Sequence, residues 1–340
     1  MHLAIDAMGG DLGPRAAVGG CLQALRQYPS LFLTLYGQQA AIERYLPSSS
    51  LSSALGKRIT LKHTAGVLST SMSPSAVLRN TSCTTTEITS LHAAVGAVAD
   101  GDADGCVSGG DTGALMALSR QQVGMLEGIA RPAISSPIPT LGKRCYLLDL
   151  GANVDCQPRH LVQFAEMGSQ MVRLLDGIER PRVAVLNIGS EQHKGGRLQR
   201  TTHELLNART EHCFEYCGFI EGDAIFNGAI DVVVCDGFVG NVALKASEGL
   251  THLLADRLQA AFSTSLVARL ASLLARPALA RFREEMNPVR YNGASLLGLA
   301  GTVVKSHGAA DSRGFFYAVE RAVKEVHEQL PQRLKASLAI

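Results

Sequence analysis

The chain has no tryptophan, aromatic side chains make up only 5% of its residues, and 32 Lys and Arg nearly balance 30 Asp and Glu. A nucleic-acid binder needs a basic stripe or stacking rings, so this composition argues against that class. No run of about eighteen apolar residues occurs, which leaves no candidate for a spanning helix. The eight cysteines are scattered, with no Cys-x-x-Cys pair and no His pair at zinc spacing, so neither a disulfide framework nor a structural zinc is expected. Cys213 and Cys217 beside His212 come nearest to a metal cluster, but ordinary buried thiols are the expected reading. A Gly-x-Ser-x-Gly elbow and a Walker loop are also missing, which removes support for a serine hydrolase or a P-loop machine. No metal and no cofactor is expected. Met1 to Asp11 lead straight into a strand and a glycine turn, without the basic start and apolar core of a leader, so the expected location is cytoplasmic.

At 340 residues and 46% apolar content the chain can bury a large core without staples. Strand-like runs recur at Leu3 to Ile5, Leu31 to Tyr36, Ile59 to His63, Gly105 to Ser108, Cys145 to Asp149, Arg182 to Asn187, Phe219 to Ile220 and Asp231 to Cys235. Helical patterns fall between many of them, at Arg15 to Tyr28, Gln39 to Leu46, Thr86 to Asp100, Gly113 to Gln122, His160 to Leu175, Thr201 to Arg209, Val242 to Leu274 and Gly314 to Gln329. Nearly continuous apolar strands alternating with helices indicate an α/β class, with a mostly parallel sheet covered on both faces. The Ser-rich stretch from Pro47 to Gly56 reads as a loop.

Six strand ends carry glycines with polar side chains. Asp6, Gly9, Gly10 and Asp11 close the first strand, where glycines let backbone amides approach an anion; a purely structural turn is the competing account. Asp111, Thr112 and Gly113 open a helix after Ser108, as an anion site or as an ordinary Asp N-cap. Asn153 and Asp155 follow the strand at Cys145, where an Asx-turn would serve as well. Asn187, Gly189 and Lys194 place a flexible cation beside a glycine turn. Asp236, Gly237, Gly240 and Asn241 lead into a helix that carries Lys245. His307, in Lys305-Ser306-His307-Gly308, can donate to phosphate or exchange a proton near neutral pH. In one parallel sheet the C-terminal strand ends lie on one side, so a shared anion-handling crevice is expected.

One segment differs from the rest. Between Arg257 and Arg283 there are five arginines, including Arg269 and Arg276, and no acidic residue, while Leu266, Leu270 and other leucines recur at helical spacing. Pro277 is expected to break this helix into two. Residues 247–286 are thus expected to protrude from a single catalytic domain spanning 1–340, touching anionic lipid, an acidic partner or a second subunit.

Taken in order, these stretches resemble the bacterial phosphate acyltransferase family, PlsX. The resemblance is carried by Leu148 to Cys156, Leu186 to Gly189, Val234 to Val242, and Asn292-Gly293-Ala294 with Lys305 to Gly308. It implies a Rossmann-like αβα sandwich similar to phosphotransacetylases and isopropylmalate dehydrogenases. It also implies a reaction in which long-chain acyl-[acyl carrier protein] and inorganic phosphate give acyl phosphate for phospholipid synthesis. A homodimer peripherally attached to the cytoplasmic membrane is implied too, and Arg79 falls in a stretch where relatives carry anion-binding residues. Three departures stand out: Asp111 where the family usually has Asn, Asn80 to Thr85 after Arg79 where relatives commonly carry further basic residues, and Ser190 where the family tends to have Glu.

Phosphate is itself a competent nucleophile and a thiolate leaves readily, so direct attack without an acyl-enzyme is expected. In that scheme Lys194 neutralises charge, Asn241 with the amides near Gly237 and Gly240 orients the carbonyl, and His307 contacts phosphate or moves a proton. Two alternatives remain open: a short-chain phosphotransacetylase using coenzyme A, and a membrane-associated binding protein without turnover.

Overall fold

The computed structural model describes residues 1–47, 55–67, 88–209, 213–285 and 287–338. Arg79, His212 and most of the Ser-rich loop lie outside the described residues. Eleven strands form one sheet: β1 (His2–Asp6), β2 (Phe32–Gly37), β3 (Ile59–His63), β4 (Gly105–Ser108), β5 (Ala133–Ile138), β6 (Cys145–Leu148), β7 (Arg182–Leu186), β8 (Glu215–Ile220), β9 (Val232–Val234), β10 (Ala294–Leu297) and β11 (Thr302–Lys305). The main helices are α1 (Pro14–Gln27), α2 (Gln39–Glu43), α3 (Ser90–Ala99), α4 (Thr112–Gln122), α5 (Pro158–Asp176), α6 (Arg197–Ala208), α7 (Gly237–Ser263), α8 (Leu266–Leu274), α9 (Arg276–Glu285), α10 (Ser312–His327) and α11 (Leu330–Leu338).

The strand order is β3-β2-β1-β4-β11-β10-β5-β6-β9-β7-β8. The first five run parallel to one another, as do the last four. Between them β10 and β5 make three successive antiparallel pairings, β11 with β10, β10 with β5 and β5 with β6. The two parallel halves therefore point in opposite directions. This corrects the expectation of one parallel sheet whose C-terminal ends share a side.

The ends meet nevertheless, because the halves are staggered. Asp6 pairs with Ser108, Ser108 with Lys305, and Lys305 with Ala294. In the adjoining row Ser295 pairs with Ser135, Ser135 with Leu148, and Leu148 with Val234. Strands β1, β4 and β11 thus finish at a level which β6 and β9 reach from the opposite direction, the two rows being about 3.3 Å apart along the strand.

Side chains alternate across the sheet with period two. Leu3, Ile5 and Val107 face α1 and α10 in one core cluster, and Tyr146, Leu148, Val232 and Val234 face α5 in a second. Ala4, Cys106, Leu147, Val233 and Val303 point the other way into a cluster shared by both halves, against α3, α4 and the start of α7. The strands missed in the sequence are β5, β10 and β11, all in or beside the seam, and the C-terminal α11 was missed as well.

The protruding segment also differs from expectation. The long helix ends at Ser263, and Ser265 caps α8 by accepting from the Ala268 amide at 3.1 Å. Pro277 is the second residue of α9, where its missing N–H has no intrahelical duty.

Beneath the seam, Arg321 of α10 donates to Ser295 Oγ at 2.9 Å, to Glu325 Oε1 at 2.8 Å and to Tyr146 Oη at 3.2 Å. It ties a helix to β10 and, across β5, to β6. Arg321 and Glu325 are 8% and 3% exposed, so removing one charge strands the other in the core. Arg321→Met is expected to destabilise the fold by about 3–5 kcal/mol in denaturant unfolding, and adding Glu325→Met to restore most of that loss. Equal destabilisation by the single and double variants would show that the charges are not coupled.

Candidate functional site

Two buried carboxylates build the two sides of the site. Asp6, at the end of β1, accepts from Ser90 Oγ and Ser108 Oγ, each at 2.6 Å, and from the Met8 amide at 3.3 Å. Burial raises its pKa above the usual carboxylate value, and the two hydroxyls act against that rise. The turn it anchors is locked to its neighbour, the Asp11 amide donating to Gly308 O at 2.8 Å. Asp149, directly after β6, accepts from the amides of Ile134, Ala152 and Asn153 and from Asn153 Nδ2, at 2.7–3.2 Å. Burial again raises its pKa, against the pull of those donors.

The start of α7 is pressed onto this second turn. Gly237 N donates to Asn153 O at 2.7 Å, and Asp236 caps the helix by accepting from Val239 N at 2.9 Å. An added Cβ on Gly240 would overlap the Asp149 carbonyl, so only glycine allows the helix to start this close. Asn241 lies one turn in, its amide side chain beside Gly151. Lys245 follows four residues later on the same face, since i and i+4 are neighbours on a helix. Its Nζ reaches to 3.4 Å from His307 Nε2 while pairing with Glu248 at 2.7 Å. A single helix thus runs from the strand ends of the second half to those of the first.

The His307 loop is itself fixed. Asn292 accepts from the His307 amide at 2.8 Å and donates to Ser306 Oγ at 2.9 Å. The Ala309 amide donates to His307 Nδ1 at 3.2 Å, which assigns the proton of the neutral ring to Nε2. That N–H and the Lys245 ammonium then face each other, two donors without an acceptor between them. Partial burial first, and then Lys245, lower the pKa of the imidazole, so it is neutral at pH 7. An anion seated between the two would satisfy both.

The other expected residues fall into three groups. Gly9, Gly10 and Asp11 sit on the Asp6 side of the site with Thr112, Gly113 and Asp111, and Asp111 caps α4 by accepting from Ala114 N at 2.8 Å. Asn153 is buried with its amide donors committed to Pro132 O at 2.6 Å and to Asp149, so it shapes the turn, whereas Asp155 is exposed. Lys194 stands after β7 on the second half's edge, paired with Glu191 at 2.9 Å, and among the described residues no hydrogen bond or ion pair joins it to Asn241 or His307. Asn187 holds that loop by donating to Gly189 O and Lys194 O at 3.1 and 3.2 Å. Gly195 has φ of +89°, and a Cβ there would overlap Asn187.

One residue gained no role from the sequence. Lys305 ends β11 on the face shared by Asp6 and Ser108, is only 9% exposed, and directs Nζ at the carbonyls of Gly109, at 3.4 Å, and Ser306. Its signal was present, a lysine closing an apolar strand next to His307.

A family model described as fatty acid synthesis protein matches residues 1–333. A phosphate acyltransferase of Methylococcus capsulatus is 46% identical over 332 residues, covering 98% of this chain and 95% of its own length. One from Pseudomonas fluorescens is 47% identical over 336 residues, covering 99% and 97%. Among solved structures, a phosphotransacetylase from Streptococcus pyogenes superposes with a TM-score of 0.61 at 16% identity, covering 96% of this chain and 94% of that one. A branched-chain phosphotransacylase from Enterococcus faecalis gives 0.60 at 14%, covering 96% and 99%. These two likenesses concern the fold.

Lys245→Ala should move the His307 titration upward, toward the ordinary imidazole value, because a cation that opposes imidazolium has been removed. An NMR titration of the ring protons reads this directly, and an unmoved or lowered pKa would remove Lys245 from that environment.

Proposed function

The chain belongs to the fatty acid synthesis protein family, and we propose that it transfers an acyl group from acyl-[acyl carrier protein] to inorganic phosphate, as a phosphate acyltransferase like its curated relatives. The observation that carries this reading is the line of donors from Asn241 through Lys245 to His307, set where the strand ends of both halves face one another.

A phosphate oxygen attacks the thioester carbon, the carbonyl becomes an oxyanion, and collapse breaks the C–S bond to release the carrier thiolate and acyl phosphate. Lys245 and the His307 Nε2–H hold the phosphate. Asn241 and the first-turn amides of α7 stabilise the oxyanion, helped by the positive end of the helix. Lys194 offers an exposed cation from the neighbouring edge for the charged donor. The nearby thiols are poor nucleophiles: burial pushes Cys156 up to about 12 and Cys235 well above its ordinary value. This supports direct attack without an acyl-enzyme.

The arginine-rich segment serves contact rather than chemistry on this reading. Leu253 and Leu254 of α7, and Leu270, Leu273 and Leu274 of α8, are exposed, as are Arg257, Arg269 and Arg276. Leu266 opens α8. Among the described residues no helix is long and apolar enough to cross a membrane. Exposed leucines with arginines beside them, and no acidic residue between Arg257 and Arg283, suit peripheral attachment to anionic lipid on the cytoplasmic side.

Asn241→Ala is expected to lower kcat for acyl phosphate formation by about a hundredfold to a thousandfold, with the fold retained. Lys194→Ala is expected to act in the same direction. The assay supplies long-chain acyl carrier protein and acetyl-CoA in parallel with phosphate; turnover of acetyl-CoA alone would reassign the donor, and a trapped acylated side chain would overturn direct attack. Leu270→Glu with Leu273→Glu should abolish flotation with anionic liposomes at unchanged soluble turnover. Loss of the dimer instead would assign the face to the subunit interface.

A further inference from the structure

Lys305 is a buried ammonium with no carboxylate in direct contact. Its two hydrogen bonds go to neutral carbonyls, those of Gly109 and Ser306, and it forms no ion pair among the described residues. Such a charge in a sheet interior is unfavourable unless something compensates it. Its neighbours come from every element that packs on it. Asp6 lies on β1, Asp11 on the following turn, Asp111 at the cap of α4, His307 two residues on, and Lys245 on α7. Asp6 is already occupied by two hydroxyls, and Asp11 and Asp111 both stand at exposed positions. Asp111 exerts the largest favourable pull on the ammonium, and it stands two residues after Gly109, whose carbonyl accepts from Lys305 Nζ.

We infer that Lys305 is the buried cation of the phosphate site and that Asp111 is the carboxylate that keeps it charged, so that this pair ties phosphate affinity to pH. The inference rests on the phosphate acyltransferase reading and adds a residue and a regulation to it. Lys305 ends β11 two residues before His307, whose ring faces Lys245. Asp111 is held in place by the Ala114 amide, which donates to one of its carboxylate oxygens.

The direction of the pH effect follows from burial. Desolvation lowers the Lys305 pKa to about 8, with Asp111, Asp6 and Asp11 opposing the drop and Lys245 adding to it. Below that pH the ammonium is charged and phosphate binds. Above it the competent fraction falls about tenfold per pH unit, and the KM for phosphate rises in proportion. Asn in place of Asp111 would still cap α4, so that substitution isolates the charge.

The test is the KM for phosphate and for acyl carrier protein thioester between pH 6.5 and 9.5, with phosphate binding followed separately by calorimetry in the absence of any thioester. Three results are expected. In the unsubstituted protein only the phosphate KM climbs above about pH 8. Asp111→Asn moves that climb to lower pH, and Lys305→Arg, whose guanidinium stays charged, abolishes it. Lys305→Met should weaken phosphate binding at least tenfold at pH 7 without lowering the thermal midpoint, since it removes a buried charge. Phosphate binding unchanged in Lys305→Met, or a climb unmoved in Asp111→Asn, would overturn the inference even while acyl phosphate is being made. Lys305-dependent phosphate binding without acyl phosphate formation would uphold it and sink only the acyltransferase reading.

Discussion

The reversal of strand direction at β10 and β5 is the constraint from which the site follows. A single parallel sheet of eleven strands would have put all its C-terminal turns along one edge, facing solvent. Here two parallel blocks of opposite sense are joined by antiparallel pairings and offset, so that Lys305 and Leu148 end one row apart. The polar turns of both blocks consequently look across the same seam, and α7 can connect them within its first three turns.

Each block meets that seam with a buried carboxylate at the end of a central strand. Asp6 gathers hydroxyls from α3 and β4, and Asp149 gathers amides from its own turn and from β5. Among the described residues neither has a cation as hydrogen-bond partner. They work as acceptors that fold glycine turns into fixed shapes, and the donors proposed to meet the anion stand apart from them on Lys245, His307 and Lys305. Below the sheet the Arg321 network plays the complementary part, joining α10 to β10 in the seam and to β6 of the second block. The seam is thus held from one face by charge and framed on the other by neutral turns.

Much of this was readable from residues alone. Eight strands followed from apolar runs such as Arg182 to Leu186, and α1, α4, α5 and α10 followed from periodicity with Pro or Asp at their starts. The strands that set the geometry were not readable, for a physical reason. β5 is Ala-Ile-Ser-Ser-Pro-Ile, β10 is Ala-Ser-Leu-Leu and β11 is Thr-Val-Val-Lys; they are short, carry Ser, Pro or Lys, and two lie among glycines. Their strand character comes from pairing on both sides in the sheet centre rather than from local pattern. The candidate site was legible as a set of turns, yet Asn153 and Asp149 show why turn residues are hard to sort. An amide or carboxylate at a strand end is equally suited to binding a ligand and to satisfying its own backbone, and only the hydrogen bonds tell which. The same ambiguity hid Lys305, whose environment is assembled from four separate chain segments.

Helix α7 has a consequence in terms of height. It is unbroken from Gly237 to Ser263, so the rise of an α-helix sets the spacing between the groups it carries. From Asn241 to Leu253 that spacing is about 18 Å along the axis. On the proposed reading Leu253 and Leu254 rest on an apolar layer, and the length of helix up to Asn241 then limits the height of that residue above the layer to about 18 Å.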